Sequence, residues 1–312
     1  MLSGCEGGAA NCGSAEIWVI LPGLGAIFPT PRTALIHGDC AEMLARFPDD
    51  SIHAIVTDPP FSPLEYGAKN VEKLREGKGG VWRKPPILGG CARAPLPRFT
   101  VLSAADRERF SGFMFEIAAI SLRKLRPGGH AFVAATPLLA AAAFSAWERA
   151  GFEPRGQIIR LARTLRGGDR PKGAEAEFAG VSAMARGCFE PWGLFRRPLS
   201  ERTVAANLRR WDTGGLRRIS AEQPFADVIA SAPAGKRERL IASHPSIKPQ
   251  AFMRSVVLAS LPLGKGVIVD PFAGSGSTLA AAEALGLACV GIERDPEYAA
   301  MAARAIPLLA AL

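Results

Sequence analysis

The sequence predicts an α/β fold in which one mixed β-sheet carries helices on both faces. Residues 34–39 and 52–58 are short apolar runs that each end in a carboxylate, a pattern typical of strands buried on both faces. Residues 267–270 form a third such run, which breaks into a glycine turn and an Ala/Leu-rich helix. The C-terminal strands need neighbours, and the N-terminal strands can supply them. We therefore expect a single mixed sheet assembled in permuted order.

Hydrophobic periodicity and Gly/Pro punctuation predict the remaining elements in chain order. The predicted helices cover residues 41–47, 106–125, 137–150, 250–260, 277–285 and 296–311. Strands are predicted at residues 130–134, at 157–161, within 187–197 and at 287–292. Residues 62–105 form a long irregular stretch rich in Gly, Pro and basic residues. A loop of that length in a compact domain is usually functional or disordered.

Composition divides the chain of 312 residues into four parts. Residues 1–31 are Gly/Ala-rich without clear periodicity, and we expect them to form a poorly ordered extension. Residues 32–154 and 243–312 carry the α/β pattern. Residues 155–242 lose that pattern and are interpreted as an insertion, although its first strands can belong to the sheet.

Basic residues are concentrated in the insertion. The net charge of the chain is +9, and residues 155–239 hold seventeen Lys/Arg against nine Asp/Glu. An uneven, arginine-rich block of this kind indicates a partner with a phosphate backbone. The candidate phosphate contacts are three arginine pairs: Arg196 and Arg197, Arg209 and Arg210, and Arg217 and Arg218. We expect most of the interleaved aromatic residues, among them Trp192 and Phe195, to form a small core.

Composition also argues against a membrane protein and against a metal centre. No apolar run reaches the roughly 18 residues that a membrane helix needs, and residues 17–28 are broken by Pro22 and two glycines. The six cysteines include no C-x-x-C pair and the four histidines are isolated, so we predict no metal site. Free thiols fit a reducing compartment, and we expect a cytoplasmic protein.

The motif D-P-F-A-G-S-G-S-T at residues 270–278 predicts a nucleotide-type pocket. Its two glycines permit a tight turn and close approach of a ligand to the backbone, and the helix that follows offers unpaired N–H donors. The hydroxyl group of Ser277 or Thr278 can cap that helix. Glu293 follows the glycines by about twenty residues, where an acid hydrogen-bonds the ribose hydroxyls of an adenosine.

A second motif, Asp58-Pro59-Pro60-Phe61, follows the strand at residues 52–57. The two prolines remove backbone donors and fix two φ angles, so the carboxylate and the aromatic ring are held on a stiff loop. The carboxyl end of a strand is where open α/β sheets place their chemistry. By itself, D-P-P can equally be a turn that ends a strand.

The two motifs together resemble the amino-methyltransferases of DNA, which use S-adenosylmethionine. The catalytic motif comes first, then the target-recognition segment, then H-P-x-x-K-P at residues 244–249 and the glycine motif. This order resembles the beta group of those enzymes, from about residue 35 to residue 306. The resemblance implies a Rossmann-like methyltransferase fold, with residues 32–154 as its catalytic part, 155–242 as target-recognition insertion and 243–312 as cofactor-binding part. It also implies double-stranded DNA as partner, contacted by the arginine pairs, and a homodimer.

The resemblance further implies a set of cofactor contacts. Gly274 and Gly276 would lie against the methionine part of the cofactor, and Glu293 would bind the ribose. Asp39 would approach the adenine end, and Lys248 would face the cofactor's carboxylate or order its pocket. The remaining residues that would shape the pocket are Asp270, Phe272, Ser277 and Thr278.

The chemistry of the catalytic motif can be argued from the residues. The lone pair of an exocyclic amine on adenine or cytosine is delocalised into the ring, so the amine is a poor nucleophile. The Asp58 carboxylate and the Pro59 carbonyl can accept its two N–H bonds and so favour a pyramidal nitrogen. Phe61 offers a π face to a base flipped out of the duplex. Most relatives have Tyr there. Asp at the first motif position favours adenine N6 and leaves cytosine N4 open.

Three other readings compete. An N-methyltransferase acting on RNA or on a protein amide would use the same device, but those relatives usually place the glycine motif before the catalytic one. A Rossmann-type oxidoreductase would need a G-x-G-x-x-G after an N-terminal strand, which this sequence lacks. An inactive DNA-binding module is the third, and an intact Asp58 argues against it.

Overall fold

The structure is a computed structural model that describes residues 12–60, the short strands at 87–88 and 91–92, and residues 103–162, 171, 173–182, 185, 187–244 and 246–312. Side chains are described from residue 16 onward, without those of the two short strands. Phe61 and most of the irregular stretch 62–105 lie outside the described residues.

Strands and helices alternate along much of the described chain. The strands are β1 (Ile27–Thr30), β2 (Thr33–His37), β3 (Ile52–Thr57), β4 (Ile87–Leu88), β5 (Cys91–Ala92), β6 (Leu125–Ala134), β7 (Glu153–Leu161), β8 (Phe189–Arg196), β9 (Val228–Ala230), β10 (Val267–Asp270) and β11 (Ala288–Glu293). The α-helices are α1 (Cys12–Ile20), α2 (Cys40–Ala45), α3 (Ala104–Lys124), α4 (Ala140–Arg149), α5 (Val204–Trp211), α6 (Lys236–Ile241), α7 (Gln250–Ser260), α8 (Ser277–Ala284) and α9 (Pro296–Ala310).

One nine-stranded sheet organises the described chain, in the order β1-β2-β11-β10-β3-β6-β8-β7-β9. The strands from β2 to β6 in that order are parallel, and β8 pairs antiparallel with both β6 and β7. The C-terminal strands β10 and β11 thus lie between the N-terminal strands β2 and β3. The prediction of a mixed sheet in permuted order is confirmed.

Helices cover both faces of the sheet, each over its own apolar cluster. Helices α1 to α4 pack on one face and α7 to α9 on the other. Every residue of β3 is buried, and its side chains alternate: Ile55 belongs to the first cluster, Ala54 and Val56 to the second. This alternation is the burial on both faces that the apolar run predicted.

The expectation of a poorly ordered extension through residue 31 is wrong for the described part of that segment. Ile17 and Leu21 are fully buried in the cluster under α1 to α4, and β1 pairs antiparallel with β2 at the edge of the sheet. Pro29 is tolerated within β1 because an edge strand can leave one side without ladder bonds. The apolar residues of this segment find a partner only when β2 is in place, so local periodicity does not reveal them.

The insertion is also more regular than its sequence indicated. Strands β7, β8 and β9 belong to the sheet, and two helices, α5 and α6, were not predicted. Thr203 caps α5 by accepting a hydrogen bond from the Ala206 N–H at 3.1 Å. Trp192 and Phe195 are buried, which confirms the core role expected for them.

Strand β6 begins earlier than the predicted start at residue 130. Residues 126–129 (R-P-G-G) were expected to separate helix from strand, but β6 runs on directly from α3. Gly128, at φ +80°, allows this entry, and the register with β3 shifts there. In the described part of the chain, no helix combines the length and apolarity required to cross a bilayer.

Candidate active site

The Asp58 motif leaves the sheet where β3 ends, between β10 and β6. Pro59 is buried and Pro60 is half-buried, so the loop starts rigidly from the sheet. The neighbouring strands β10 and β6 are parallel to β3, which brings their carboxyl ends to the same edge. We call this edge, which carries Asp58, the carboxyl edge of the sheet.

The two oxygens of Asp58 have different surroundings. Oδ2 accepts hydrogen bonds from Ser246 Oγ at 2.9 Å and from Lys248 Nζ at 2.5 Å. Oδ1 is buried, and no described residue donates a hydrogen bond to it. Burial raises the pKa of Asp58 above its usual value, and the Lys248 ammonium opposes this. One acceptor oxygen is therefore anchored, and the other is available in the sense that no described residue donates to it.

Lys248 faces two carboxylates of the protein. Its side chain is only 6% exposed, and Nζ lies 3.6 Å from Glu190 Oε2 in addition to its bond with Asp58. Burial acts to lower the pKa of Lys248, but the Asp58 and Glu190 carboxylates outweigh burial and raise it. The sequence predicted that Lys248 would face the cofactor's carboxylate or order its pocket. In the structure its ammonium is bound to Asp58.

Glu190 and Ser246 are parts of this site that were not predicted from the sequence. Glu190 is the acid in the aromatic strand β8, and Ser246 lies inside the H-P-x-x-K-P element. An acid between Phe189 and Pro191 on a buried strand was a signal, because a buried carboxylate needs a cationic partner. The identity of that partner could not be read from the sequence.

Asp270 braces the glycine turn from inside the sheet. Its Oδ1 accepts from Thr57 Oγ1 at 2.7 Å and from the Phe272 N–H at 3.1 Å, and its Oδ2 accepts from Thr278 Oγ1 at 2.6 Å. Burial raises the pKa of Asp270 to about 6. These bonds tie the end of β10 to β3 and to the first turn of α8, so the two motifs are held in one geometry.

The predicted capping of α8 by a hydroxyl group is wrong. Gly276 is the N-cap residue, with left-handed φ and without a side-chain cap. Thr278 donates to Asp270, and Ser277 Oγ lies 2.9 Å from Ser275 Oγ. The threonine hydroxyl instead donates to Asp270, a buried carboxylate that would be costly to leave without a donor.

Both glycines of the turn have positive φ, +50° for Gly274 and +77° for Gly276. A Cβ on Gly276 would lie 2.6 Å from Ile306 Cγ1 of α9, and one on Gly274 would lie 3.3 Å from the ring of His244. The positive φ and the close contact with Ile306 therefore explain why residue 276 is glycine. The Gly274 N–H points to Glu293, whose Oε2 accepts it at 2.7 Å.

Carboxylates of two neighbouring strands lie beside the glycine turn. Glu293 ends β11, accepts from the N–H groups of Gly274 and Asp295, and has its pKa raised by burial. Asp39 follows β2 and accepts from the N–H groups at the start of α2. Since β2 and β11 are parallel neighbours, both acids lie at the carboxyl edge. The roles predicted for the two acids, toward the ribose and the adenine of a cofactor, stay predictions.

The candidate arginine contacts differ in availability. Arg196 is buried and donates twice to Glu153 Oε2, at 2.6 and 2.8 Å, so its assignment as a DNA contact is wrong. Arg197 is held by Asp50 and by the Leu125 carbonyl. Arg210 pairs with Glu201 at 2.7 Å. A buried arginine on an interior strand, such as Arg196, needs an acidic partner. The sequence could not show which acid that is.

The other candidate arginines reach the surface, but at the opposite edge. Arg217 bonds through its N–H to the Ala259 carbonyl, and its guanidinium lies against Gly264, just before β10 begins. Helix α5, which carries Arg209, bonds to the Pro127 carbonyl near the start of β6. Arg218 is exposed and donates to carbonyls of residues 220–222. This placement argues against these arginines contacting DNA close to Asp58.

The fold and the site define the class of the protein. The strand order, the glycine turn after β10, the acid that ends β11 and the Asp-Pro-Pro loop after β3 together form a Rossmann-like methyltransferase fold. Residues 207–304 match the N6/N4 methyltransferase family model, which is that of DNA methylases.

Known proteins that resemble the chain agree with this class. Over 83 residues it is 32% identical to the type II methyltransferase M2.DpnII of Streptococcus pneumoniae, covering 27% of this chain and 31% of that relative. A putative DNA modification methylase from Thermus thermophilus, solved in complex with S-adenosylmethionine, matches with a TM-score of 0.55 and 22% identity over 89% of this chain and 96% of that one. The cytosine-N4-specific PvuII DNA methyltransferase matches with a TM-score of 0.60 and 15% identity over 90% and 92%. The resemblance to the beta group of DNA amino-methyltransferases is confirmed.

Proposed function

We propose that the protein transfers a methyl group from S-adenosylmethionine to the N6 amine of an adenine flipped out of duplex DNA. The observation that carries this proposal is the Asp58 carboxylate, buried at the carboxyl edge with Oδ1 available and Oδ2 anchored. An acceptor of this kind suits an exocyclic amine, because it takes an N–H bond where positive charge develops during methylation.

The protein's own groups account for the steps around the transfer. Asp58 Oδ1 accepts one N–H of the amine and the Pro59 carbonyl accepts the other, which localises the nitrogen lone pair. The stiffness of the Pro59-Pro60 loop keeps both acceptors in place. S-adenosylmethionine supplies the electrophilic methyl group, and Glu293, Asp39 and the turn at Gly274 would hold it.

The donor site is supported by the chemistry of the residues present. Glu293 and Asp39 offer carboxylate oxygens, which suit the ribose hydroxyls and the adenine amine of the cofactor. The structure solved with S-adenosylmethionine shares this fold, which supports the same cofactor here. Phe272 lies at the turn with its ring 5.8 Å from that of Phe113, so the pocket has an apolar wall.

Asp at the first motif position supports adenine over cytosine. Cytosine N4 presents the same amine chemistry, and the PvuII relative acts on it, so cytosine N4 is the second candidate. Both reactions use the same acceptors, so the acceptors do not separate the two candidates.

The assay is transfer of labelled methyl groups from S-adenosylmethionine to duplex DNA, followed by nucleoside analysis of the product. We expect N6-methyladenine. N4-methylcytosine would replace the first candidate by the second, and labelling of only RNA or protein acceptors would contradict both.

Substitution of the proposed acceptor gives the matched test. Asp58→Ala should lower transfer by at least about 100-fold, because the developing charge loses its carboxylate. Cofactor affinity, measured by calorimetry, should stay within about threefold, since Asp58 is not expected to bind the donor. Asp227→Ala, at an exposed acid, is the control and should keep full activity. Transfer at the wild-type rate by Asp58→Ala would exclude the proposed mechanism.

A further inference from the structure

A line of charged side chains connects the catalytic motif to the strands β7 and β8. Asp58 binds Lys248 at 2.5 Å, and Lys248 in turn lies 3.6 Å from Glu190 Oε2. Glu190 also lies 3.3 Å from Arg160 Nη1. Two carboxylates and two cations thus alternate in one buried row, so their formal charges cancel.

Glu190 is held firmly within this row. Trp192 Nε1 donates to Glu190 Oε1 at 2.8 Å, while Oε2 faces the two cations. Arg160 is fixed in turn by Ser231 Oγ at 3.1 Å and by the Ala232 carbonyl at 3.3 Å. Because Glu190 is bound by Trp192 and Arg160, its carboxylate keeps one position. Lys248 therefore has a fixed second partner.

Lys248 divides its charge between Asp58 and Glu190. Paired with Asp58 alone, the ammonium would stabilise the ionised carboxylate more strongly and so make it a weaker acceptor. The negative charge of Glu190 offsets part of the effect of the ammonium on Asp58. Accordingly, Lys248 lowers the pKa of Asp58 and Glu190 raises it, both acting on a carboxyl that burial has already shifted upward.

We propose that Glu190 is a positioning residue for the transfer: through Lys248 it holds Asp58 with Oδ1 free while preserving the basicity of that carboxylate. This inference rests on the proposed function for its effect on the rate, since it takes Asp58 as the acceptor of the target amine. The effect of Glu190 on Asp58 does not depend on any substrate.

Other groups near Asp58 have to be kept constant in a test of this role. The charged or titratable side chains that face the Asp58–Lys248 pair are Glu190 on β8, Arg160 on β7, Asp270 on β10 and His244 in the segment before α7. Replacing Glu190 by Gln leaves the other three in place and removes one charge without changing the shape of the side chain.

The first measurement is the pH dependence of kcat for Glu190→Gln. We expect kcat to fall by about 10- to 100-fold with little change in KM, because the acceptor is weakened and less well oriented. Removal of a negative charge makes Asp58 easier to ionise, so the acidic limb of the kcat profile should move to lower pH. Glu190→Asp keeps the charge and should return that limb toward its wild-type position. Lys248→Met should move it in the opposite direction, to higher pH.

The second measurement needs no activity. In cofactor-free protein labelled with carbon-13 at aspartate carboxyl groups, the Asp58 signal is assigned by its loss in Asp58→Asn. Its titration midpoint should be lower in Glu190→Gln than in wild type. If this shift is observed but the wild-type protein transfers no methyl group, the proposed function is rejected and the effect of Glu190 on Asp58 stands.

Glu153→Gln is the matched control, because Glu153 is a strand glutamate that pairs with a buried arginine away from Asp58. It should leave both the acidic limb and the Asp58 titration unchanged. An unchanged Asp58 midpoint in Glu190→Gln, or an equal shift in Glu153→Gln, would overturn the proposal.

Discussion

At the residue scale, single buried side chains carry both the proposed chemistry and much of the pH sensitivity. Asp58 combines an anchored oxygen with an available one, and Asp270 uses both of its oxygens to brace the glycine turn. Asp270 is buried and Asp58 is half-buried, and the two carboxylates also differ in their donors. Both differences separate a structural acid from a candidate catalytic one.

His53 gives a prediction for stability at the same scale. Its Nδ1 accepts the Val267 N–H at 3.1 Å, which requires a neutral ring, and burial lowers its pKa to about 3. Because the folded pKa is below the unfolded value, His53 contributes its full stability above about pH 6.5 and loses it as pH falls toward 3. The free energy of unfolding of wild type, relative to His53→Asn, should therefore fall by about 1.4 kcal/mol per pH unit below pH 6.5.

Urea unfolding of both proteins at a series of pH values measures this difference. His53→Asn supplies an acceptor without a titrating ring and is the reference. A constant difference between pH 6.5 and pH 4 would show that His53 does not titrate as its burial requires.

At the element scale, the glycine turn and helices α8 and α9 form one packed unit. Gly276 begins α8 in a left-handed conformation, and Ile306 of α9 occupies the space beside it. A turn that must fit both a backbone conformation and a neighbouring helix tolerates little change.

Gly276→Ala should destabilise the protein for two separable reasons. Positive φ costs of order 1 kcal/mol for a residue with a Cβ, and the contact with Ile306 adds about 1–3 kcal/mol of overpacking. Gly286→Ala is the matched control, because Gly286 has a similar φ of +71° but no neighbouring atom within 4 Å of the position that a Cβ would take. Urea unfolding should show a clearly larger loss for Gly276→Ala, and equal losses would remove the packing explanation.

At the scale of the whole molecule, the two edges of the sheet carry different basic surfaces. Arg217 and Arg218 follow α5 at the edge where β10 begins, away from Asp58. Helix α6 comes after β9, which runs parallel to β7 and ends beside the start of β8 at the carboxyl edge. Lys236 and Arg237 of α6 are exposed there. Under the proposed function, we expect a duplex that presents a base to Asp58 to contact α6.

DNA binding should therefore depend on α6 more than on the arginines chosen from the sequence. Replacement of Lys236 and Arg237 by Ala should weaken binding and reduce the slope of log K against log salt by about 1–2, as expected when one or two phosphate contacts are lost. Replacement of Arg217 and Arg218 by Ala removes the same charge at the opposite edge and is the control. Fluorescence anisotropy with duplex DNA over a range of salt concentrations measures both slopes. A larger effect for the Arg217 and Arg218 pair would restore the prediction made from the sequence.

Local patterns in the sequence determined the framework of the protein. The apolar runs at β2, β3, β10 and β11, and the helices that follow them, were predicted because burial on both faces and the 3.6-residue period act within a few residues. The positions of Asp58 and Glu293 at strand ends followed from the same patterns. Their common edge followed from the parallel order of the strands.

The tertiary structure alone decided which charges meet. Lys248 and Asp58 are separated by 190 residues, and Arg196 finds Glu153 across 43. Such pairs depend on strand order and on the direction of each side chain, neither of which leaves a trace in local sequence. For the same physical reason, the arginine block predicted a basic surface, whereas its position relative to Asp58 appeared only once β8 was known to run antiparallel to β6.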